Sequence, residues 1–283
     1  MSEKFNFVLL DSEQYPHWRA YDEARLSIRY AMLELGYDVT EGVNRIDPDR
    51  TNILMAYHLL DKEDWDVIPK GSILLNGEPL SEPLYHPIGK KHERAYSGDF
   101  VNWDYSETNC DWLEAQGLNR PRHFKLGFQK ELRKNVFEPK KDFDVLFYGA
   151  VNERRKHLID YMRTCGLRIE HLFGVYGDER DYYIARARLV LNVHSYDCRV
   201  FEAFRVAYLV TNHVPCLSEV NADTKEVGAI RPHIFGVPYQ DLASEACRLI
   251  SQFDDADLKK QLDFKGFEAH KQATVVAALL GQR

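Results

Sequence analysis

The feature that most constrains this chain is an alternation of strand-like and helix-like segments that runs through the first half and restarts at Asp144. Phe5–Leu10 (FNFVLL) is a short apolar run closed by Asp11-Ser12, the pattern of a buried strand. From Trp18 to Leu35 apolar side chains recur at three- and four-residue steps, which predicts a helix. Gly36 stops it and Tyr37–Val39 opens the next extended piece. Asn52–His58, Ser72–Asn76 and Val101–Trp103 read as further strands, and Glu107–Gln116 as a helix. The second half predicts strands at Asp144–Tyr148, Ile169–Phe173, Leu189–His194 and Leu209–Thr211. Its helices are expected at Glu153–Cys165, Asp181–Arg188, Val200–Tyr208 and Asp241–Phe253. Such alternation predicts an α/β fold with parallel sheets covered on both faces. A basic stretch broken by Pro121 and Pro139 runs from Asn119 to Lys141. Two Rossmann-like, doubly wound domains are therefore expected, residues 1–130 and 131–283, facing a cleft.

Composition narrows the class. With 283 residues, each half can bury its own core. At 45% hydrophobic and 29% charged, the chain is not of the disordered type. A net charge of −7 argues against a surface that is basic all over. The five cysteines are odd in number, widely spaced and contain no CxxC, which disfavours a disulfide framework or a zinc knuckle and fits reduced thiols. The N-terminal segment lacks the long apolar core of a secretory signal, and no run approaches the roughly 20 apolar residues of a membrane span. A cytoplasmic location is expected.

Three strand-end loops of the second half carry candidate chemistry. In the first, a predicted strand ends at Tyr148 and Gly149 turns the chain. Asn152 then precedes a helix that opens with Glu153-Arg154-Arg155. Free N–H groups of a helix start and planar guanidinium donors suit a phosphate, and the same pattern fits a solvated helix start. In the second, Gly174 and Gly177 flank Val175-Tyr176, as close backbone approach to a ligand or a tight turn would require. In the third, His194-Ser195 follows a buried strand, and Arg199 and Glu202 open the next helix. A glutamate there can accept from both hydroxyls of a ribose, and it is also favoured by the helix dipole with no ligand present.

In order and spacing these loops resemble the donor domain of GT-B glycosyltransferases, especially small bacterial and phage enzymes. The matching runs are YG…N.RR, then GVYG.ERD..IA.A.LVLNVHSYD, then FEAFR and a strand leading to Ser218-Glu219. LLNGEPL from Leu74, WDYSETN from Trp103 and KLGFQ from Lys125 extend the resemblance into the first half. The resemblance implies that Glu202 binds the ribose and that Arg154 and Arg155 approach the donor diphosphate. His194 and Ser195 would lie near the diphosphate and sugar. Gly149, Asn152, Tyr176, Gly177 and Arg199 complete the implied nucleotide-sugar site. The usual glycine after the glutamate helix is absent, so Asn212 or His213 is left to make that turn.

The implied reaction moves a hexosyl or pentosyl group from a UDP-linked sugar to an acceptor hydroxyl on a glycan or on modified DNA. The donor is a substrate, and no cofactor is expected. Asp142-Phe143-Asp144 and Asp47-Pro48-Asp49 have the spacing of a metal-binding DxD but the wrong setting, so no metal is expected and arginines would offset the leaving charge. An inverting enzyme needs a base. Glu78 is the first candidate, Asp104 the second, with Asp11 and His17 behind them; each also reads as a cap or structural acceptor. The basic stretch from Arg120 could track a polyanion or be a solvated linker. The rival readings are a UDP-sugar epimerase or hydrolase of the same fold and a catalytically silent nucleotide-sugar binder.

Overall fold

The computed structural model describes residues 3–11, 18–61, 64–81, 93–134, 138–195, 200–225 and 227–281. The chain divides into two compact units, Met1–Glu131 with Lys271–Arg283, and Leu132–His270.

The first unit is built on a six-stranded parallel sheet in the order β2-β1-β3-β4-β5-β6. Its strands are β1 (Lys4–Leu9), β2 (Asp38–Val43), β3 (Thr51–Met55), β4 (Ile73–Asn76), β5 (Val101–Asp104) and β6 (Arg122–His123). β4 (ILLN) is buried throughout, as a central parallel strand must be. The expected first helix divides into a 3-10 turn, Trp18–Tyr21, and α1 (Asp22–Glu34). α2 (Glu107–Ala115) starts where the Ser106 side chain accepts from the Asn109 N–H. Trp65 packs with Tyr57 and Phe100, and Trp103 stacks on Phe124, so these two tryptophans serve the core.

The second unit carries a five-stranded parallel sheet in the order β11-β10-β9-β7-β8. Its strands are β7 (Phe143–Tyr148), β8 (Ile169–Leu172), β9 (Ala187–Asn192), β10 (Cys216–Glu219) and β11 (Phe235–Val237). The helices are α3 (Glu153–Thr164), α4 (Gly177–Arg186), α5 (Ala203–Thr211), α6 (Leu242–Gln252), α7 (Asp255–Lys260) and α8 (Phe264–Phe267). Leu242, Ala246 and Leu249 place one face of α6 in the core beside Leu158 and Met162 of α3. Each such leucine contributes roughly 2 kcal/mol by leaving water.

Two expectations are corrected. Leu209–Thr211 is not a strand. These residues finish α5 because that helix is buried along nearly its whole length, and burial outweighs their strand preference. His213, in the left-handed region at φ 54°, makes the turn that follows, and the strand is Cys216–Glu219. The last helix, α9 (Gln272–Leu279), belongs to the first unit rather than the second. The Gln272 side chain accepts the Gly127 N–H at 2.5 Å, its backbone N–H donates to the Phe128 carbonyl at 2.9 Å, and Arg122 donates to the Leu279 carbonyl.

Candidate functional site

In the second sheet the first strand, β7, lies between β8 and β9, so the strand order reverses there. Ligands of open parallel sheets bind beyond the carboxyl ends of the strands at such a point. Gly149 leaves β7 at φ 132°, a backbone state that disfavours any side chain. A methyl group added there would also stand 3.1 Å from Arg205 Nη2. Asn152 then caps α3 by accepting the Arg155 N–H at 3.0 Å, and its amide donates to the Ser195 carbonyl.

The two arginines after the cap do different things. Arg154 turns to β10 and grips Glu219 through both terminal nitrogens, at 2.8 and 2.7 Å. It also donates to the His194 carbonyl at 3.0 Å and lies 3.9 Å over the Tyr239 ring. Glu219 is only 1% exposed and takes a further bond from the His194 N–H at 3.1 Å. Burial pushes its carboxyl up; the Arg154 bonds outweigh burial and hold the group below its ordinary range. Arg155 is buried and donates to the carbonyls of Val193 and Ala150 at 2.7 and 2.8 Å. Its remaining reach goes to Glu202 Oε1 at 3.2 Å.

Glu202 stands at the N-cap of α5, with its side chain 36% exposed, so it can meet a ligand. Burial pushes its carboxyl up, but Arg205 and Arg155 outweigh burial and keep it ionised below its ordinary range. Arg205 follows one turn later. Its Nη1 donates to Asn192 Oδ1 at 3.0 Å, and its guanidinium lies 5.0 and 5.7 Å from the Tyr148 and Phe147 ring centroids. Its Nε is buried without a partner. His194, 1% exposed, has both ring nitrogens unpartnered, and burial pushes its pKa down, so the ring is neutral.

The other expected residues fall as follows. Tyr176 caps α4, with Gly177 at φ 60° as its first residue, so the Gly174–Gly177 pair makes a turn into a helix. Arg199, like His17, lies outside the described residues. Asp142 pairs with Arg186 and Asp144 with Arg168, the latter at 2.9 Å. No group of three His, Cys, Asp or Glu side chains converges as metal ligands among the described residues. No described helix is long and apolar enough to cross a membrane. The basic stretch is engaged locally: Arg120 with Glu107, Asp111 and Glu114, Arg133 with Glu268, and Lys134 with Asp178 and Asp181.

In the first unit, Asp104 is fully buried. It accepts from Asn76 Nδ2 and the Ser106 N–H, each at 2.8 Å, and from Asn109 Nδ2 at 3.0 Å. The same two amides hold the Glu78 carbonyl, each at 2.8 Å, while Tyr21 donates its hydroxyl to the Glu78 carboxylate. Asp104 thus shapes the turn that presents Glu78. Asp11 lies elsewhere, past β1, its backbone clasped by the Asn44 side chain. It lines an open cavity of about 320 Å³ with Val8, Leu54, Ile68, Asp61 and Asp64.

Reading the sequence alone did not assign Arg205 or Glu219 a role. Arg205 was within reach, because it lies three residues past Glu202 and so on the same helix face. Glu219 was not, because its partner is 65 residues away.

Two units, each a parallel sheet with helices, are the architecture of the GT-B fold. The solved structures agree. Similar structures include WaaG, a glycosyltransferase involved in lipopolysaccharide biosynthesis (TM-score 0.55, 8% identity, 98% of this chain and 100% of that one). A glycosyltransferase from Rickettsia africae matches at TM-score 0.52 and 7% identity over the whole of both chains. AviGT4, a glycosyltransferase involved in avilamycin A biosynthesis, matches at 0.50 and 12%, covering 99% and 96%. The chain therefore has the GT-B fold. No protein-family model matches the sequence. Among curated proteins it is 30% identical over 194 residues to Uncharacterized protein L140 of Acanthamoeba polyphaga mimivirus, covering 66% of this chain and 62% of that protein. It is 31% identical over 171 residues to Uncharacterized protein L138 of the same virus, covering 56% and 19%. The matches thus span about three fifths of the first relative and about a fifth of the second.

Proposed function

We propose that the chain is a metal-independent glycosyltransferase that moves a hexosyl or pentosyl group from a UDP-linked sugar to an acceptor hydroxyl. The observation that supports this best is the charge arrangement at the second sheet's strand reversal. An ionised, accessible Glu202 stands beside Arg205, whose buried Nε has no acceptor. Glu202 accepts from the ribose hydroxyls. Arg205, rather than Arg154, meets the leaving diphosphate, because Arg154 is already committed to Glu219. Charge grows on that diphosphate as the anomeric bond breaks, and a preorganised guanidinium offsets it.

Glu78, held on a turn fixed by Asn76 and Asn109, is the base that takes the acceptor proton. A glycan acceptor is favoured over DNA, because Arg120, Arg133 and Lys134, three cations of the basic stretch that could track a polyanion, are paired with carboxylates of the chain.

Titration calorimetry with UDP, GDP and UDP-sugars tests the donor reading. UDP binding by the wild type and its loss in Glu202→Ala is the expected result; unchanged affinity in the variant sinks the assignment. Release of free sugar or an epimer without acceptor would move the reading to an epimerase or hydrolase of this fold.

A further inference from the structure

β9 and β10 each end in a polar side chain set deep in the sheet. Asn192 and Ser218 are register partners on these neighbouring strands, and both are fully buried. β9 is apolar just before Asn192, with Leu189, Val190 and Leu191 also fully buried. Polar groups in such a place must be bonded, because a buried one without a partner is costly. These two are bonded in a chain that runs one way. Arg205 Nη1 donates to Asn192 Oδ1 at 3.0 Å, Asn192 Nδ2 donates to Ser218 Oγ at 2.9 Å, and the Ser218 hydroxyl donates to the Glu219 carbonyl at 3.3 Å. Ser218 commits its only proton to Glu219, so it can only accept from Asn192. The Asn192 amide is thereby fixed against a flip, with its oxygen facing Arg205.

A guanidinium has two edges that can grip an oxyanion with paired donors, Nη1 with Nη2 and Nη2 with Nε. The bond to Asn192 engages the first edge at Nη1. On the second, Nε is buried without a partner, and among the described residues no acceptor meets Nη2. Gly149 keeps that side clear, since a methyl group on it would stand 3.1 Å from Nη2. We propose that Asn192 is a positioning residue: by holding Nη1 it leaves the Nε–Nη2 edge of Arg205 as a two-pronged donor for two oxygens of one phosphate group. The assignment rests on the proposed reading of the second unit as a nucleoside diphosphate site. It adds that recognition there depends on fork geometry as well as on charge. Ser218 acts one bond further back, by holding the Asn192 amide.

The test is titration calorimetry of the full chain with UDP and with uridine, on the wild type, Asn192→Ala, Arg205→Ala and the double variant. Asn192→Ala should lower UDP affinity about tenfold and leave uridine binding unchanged. The double variant should lose no more than the roughly thirtyfold of Arg205→Ala alone, because Asn192 acts only through Arg205. Arg205→Lys keeps the charge without the fork and should bind UDP nearly as weakly as Arg205→Ala. Ser218→Ala should cost about threefold. Should Asn192→Ala not fold, Ser218→Ala combined with Arg205→Ala gives the same cycle. Additive losses, about three-hundredfold in the double variant, overturn the role of Asn192 and leave the UDP site standing. So does an equal fall in uridine and UDP affinity in Asn192→Ala, or full UDP affinity in Arg205→Lys. A wild type that binds neither UDP nor uridine sinks the proposed function, and the role of Asn192 with it.

Discussion

The two units offer the same scaffold and furnish it differently. At the carboxyl ends of β4 and β5, the first unit buries Asn76, Asp104 and Asn109 in a closed set of hydrogen bonds, with every Asp104 oxygen occupied. At the carboxyl ends of β7 and β9, the second unit gathers arginines and leaves polar atoms without partners: Arg205 Nε and both ring nitrogens of His194. A buried polar group without a partner costs about 1–3 kcal/mol, so proteins keep few of them. Closed networks hold a loop in shape. On the proposed function, the open set in the second unit is where a ligand would complete the bonding.

Mutations can break this contrast. The largest expected effect is in the closed part of the second unit. Arg154→Ala strands a buried carboxylate, so denaturant melts should show a loss of about 4 kcal/mol. Asn109→Ala removes three bonds of the first unit's network and should cost about 3 kcal/mol by the same measurement. Arg205→Ala should behave in the opposite manner. Calorimetry should show UDP affinity falling by about thirtyfold, or about 2 kcal/mol, with uridine binding untouched, while the melt loses only about 1 kcal/mol from the bond to Asn192. A stability loss as large as that of Arg154→Ala would erase the distinction between closed and open. Asn152→Ala removes a helix cap and should cost about 1 kcal/mol, seen as a small drop in melting temperature.

The smallest effect is in pH. His194 has a depressed pKa when folded, so below about 6.5 the unfolded chain takes up a proton that the folded one refuses. Stability falls as pH drops through that window. Glu219, depressed from its ordinary carboxylate value, adds a further loss at lower pH, as it protonates and its bonds to Arg154 weaken. His194→Gln should flatten the first part of the curve and leave the second.

Much of this was legible where the information is local. The run from Phe143 to Thr164 shows strand, glycine turn, cap and helix in its own residues, and the structure places each of them. Glu202 was legible as a carboxylate opening a helix. What Arg154 does was not. Two adjacent arginines at a helix start look equivalent in sequence, yet 100° of helical rotation sends one to Glu219 and the other to Val193 and Glu202. The end of α5 misled for a related reason. Leu209-Val210-Thr211 favours a strand locally, and only its burial against the rest of the second unit makes it helix. Asp104 was legible as a strand-end carboxylate. The amides that occupy it come from two other segments, at Asn76 and Asn109.

The return of α9 to the first unit makes the second unit an insertion in the chain of the first. During synthesis, Leu132–His270 is one uninterrupted stretch and can collapse as soon as it emerges. The first unit begins earlier and finishes later, because Gln272 cannot occupy its place beside Gly127 and Phe128 until the second unit has been made. Removing residues 271–281 would therefore damage the unit that begins first and leave whole the one nearer the cut.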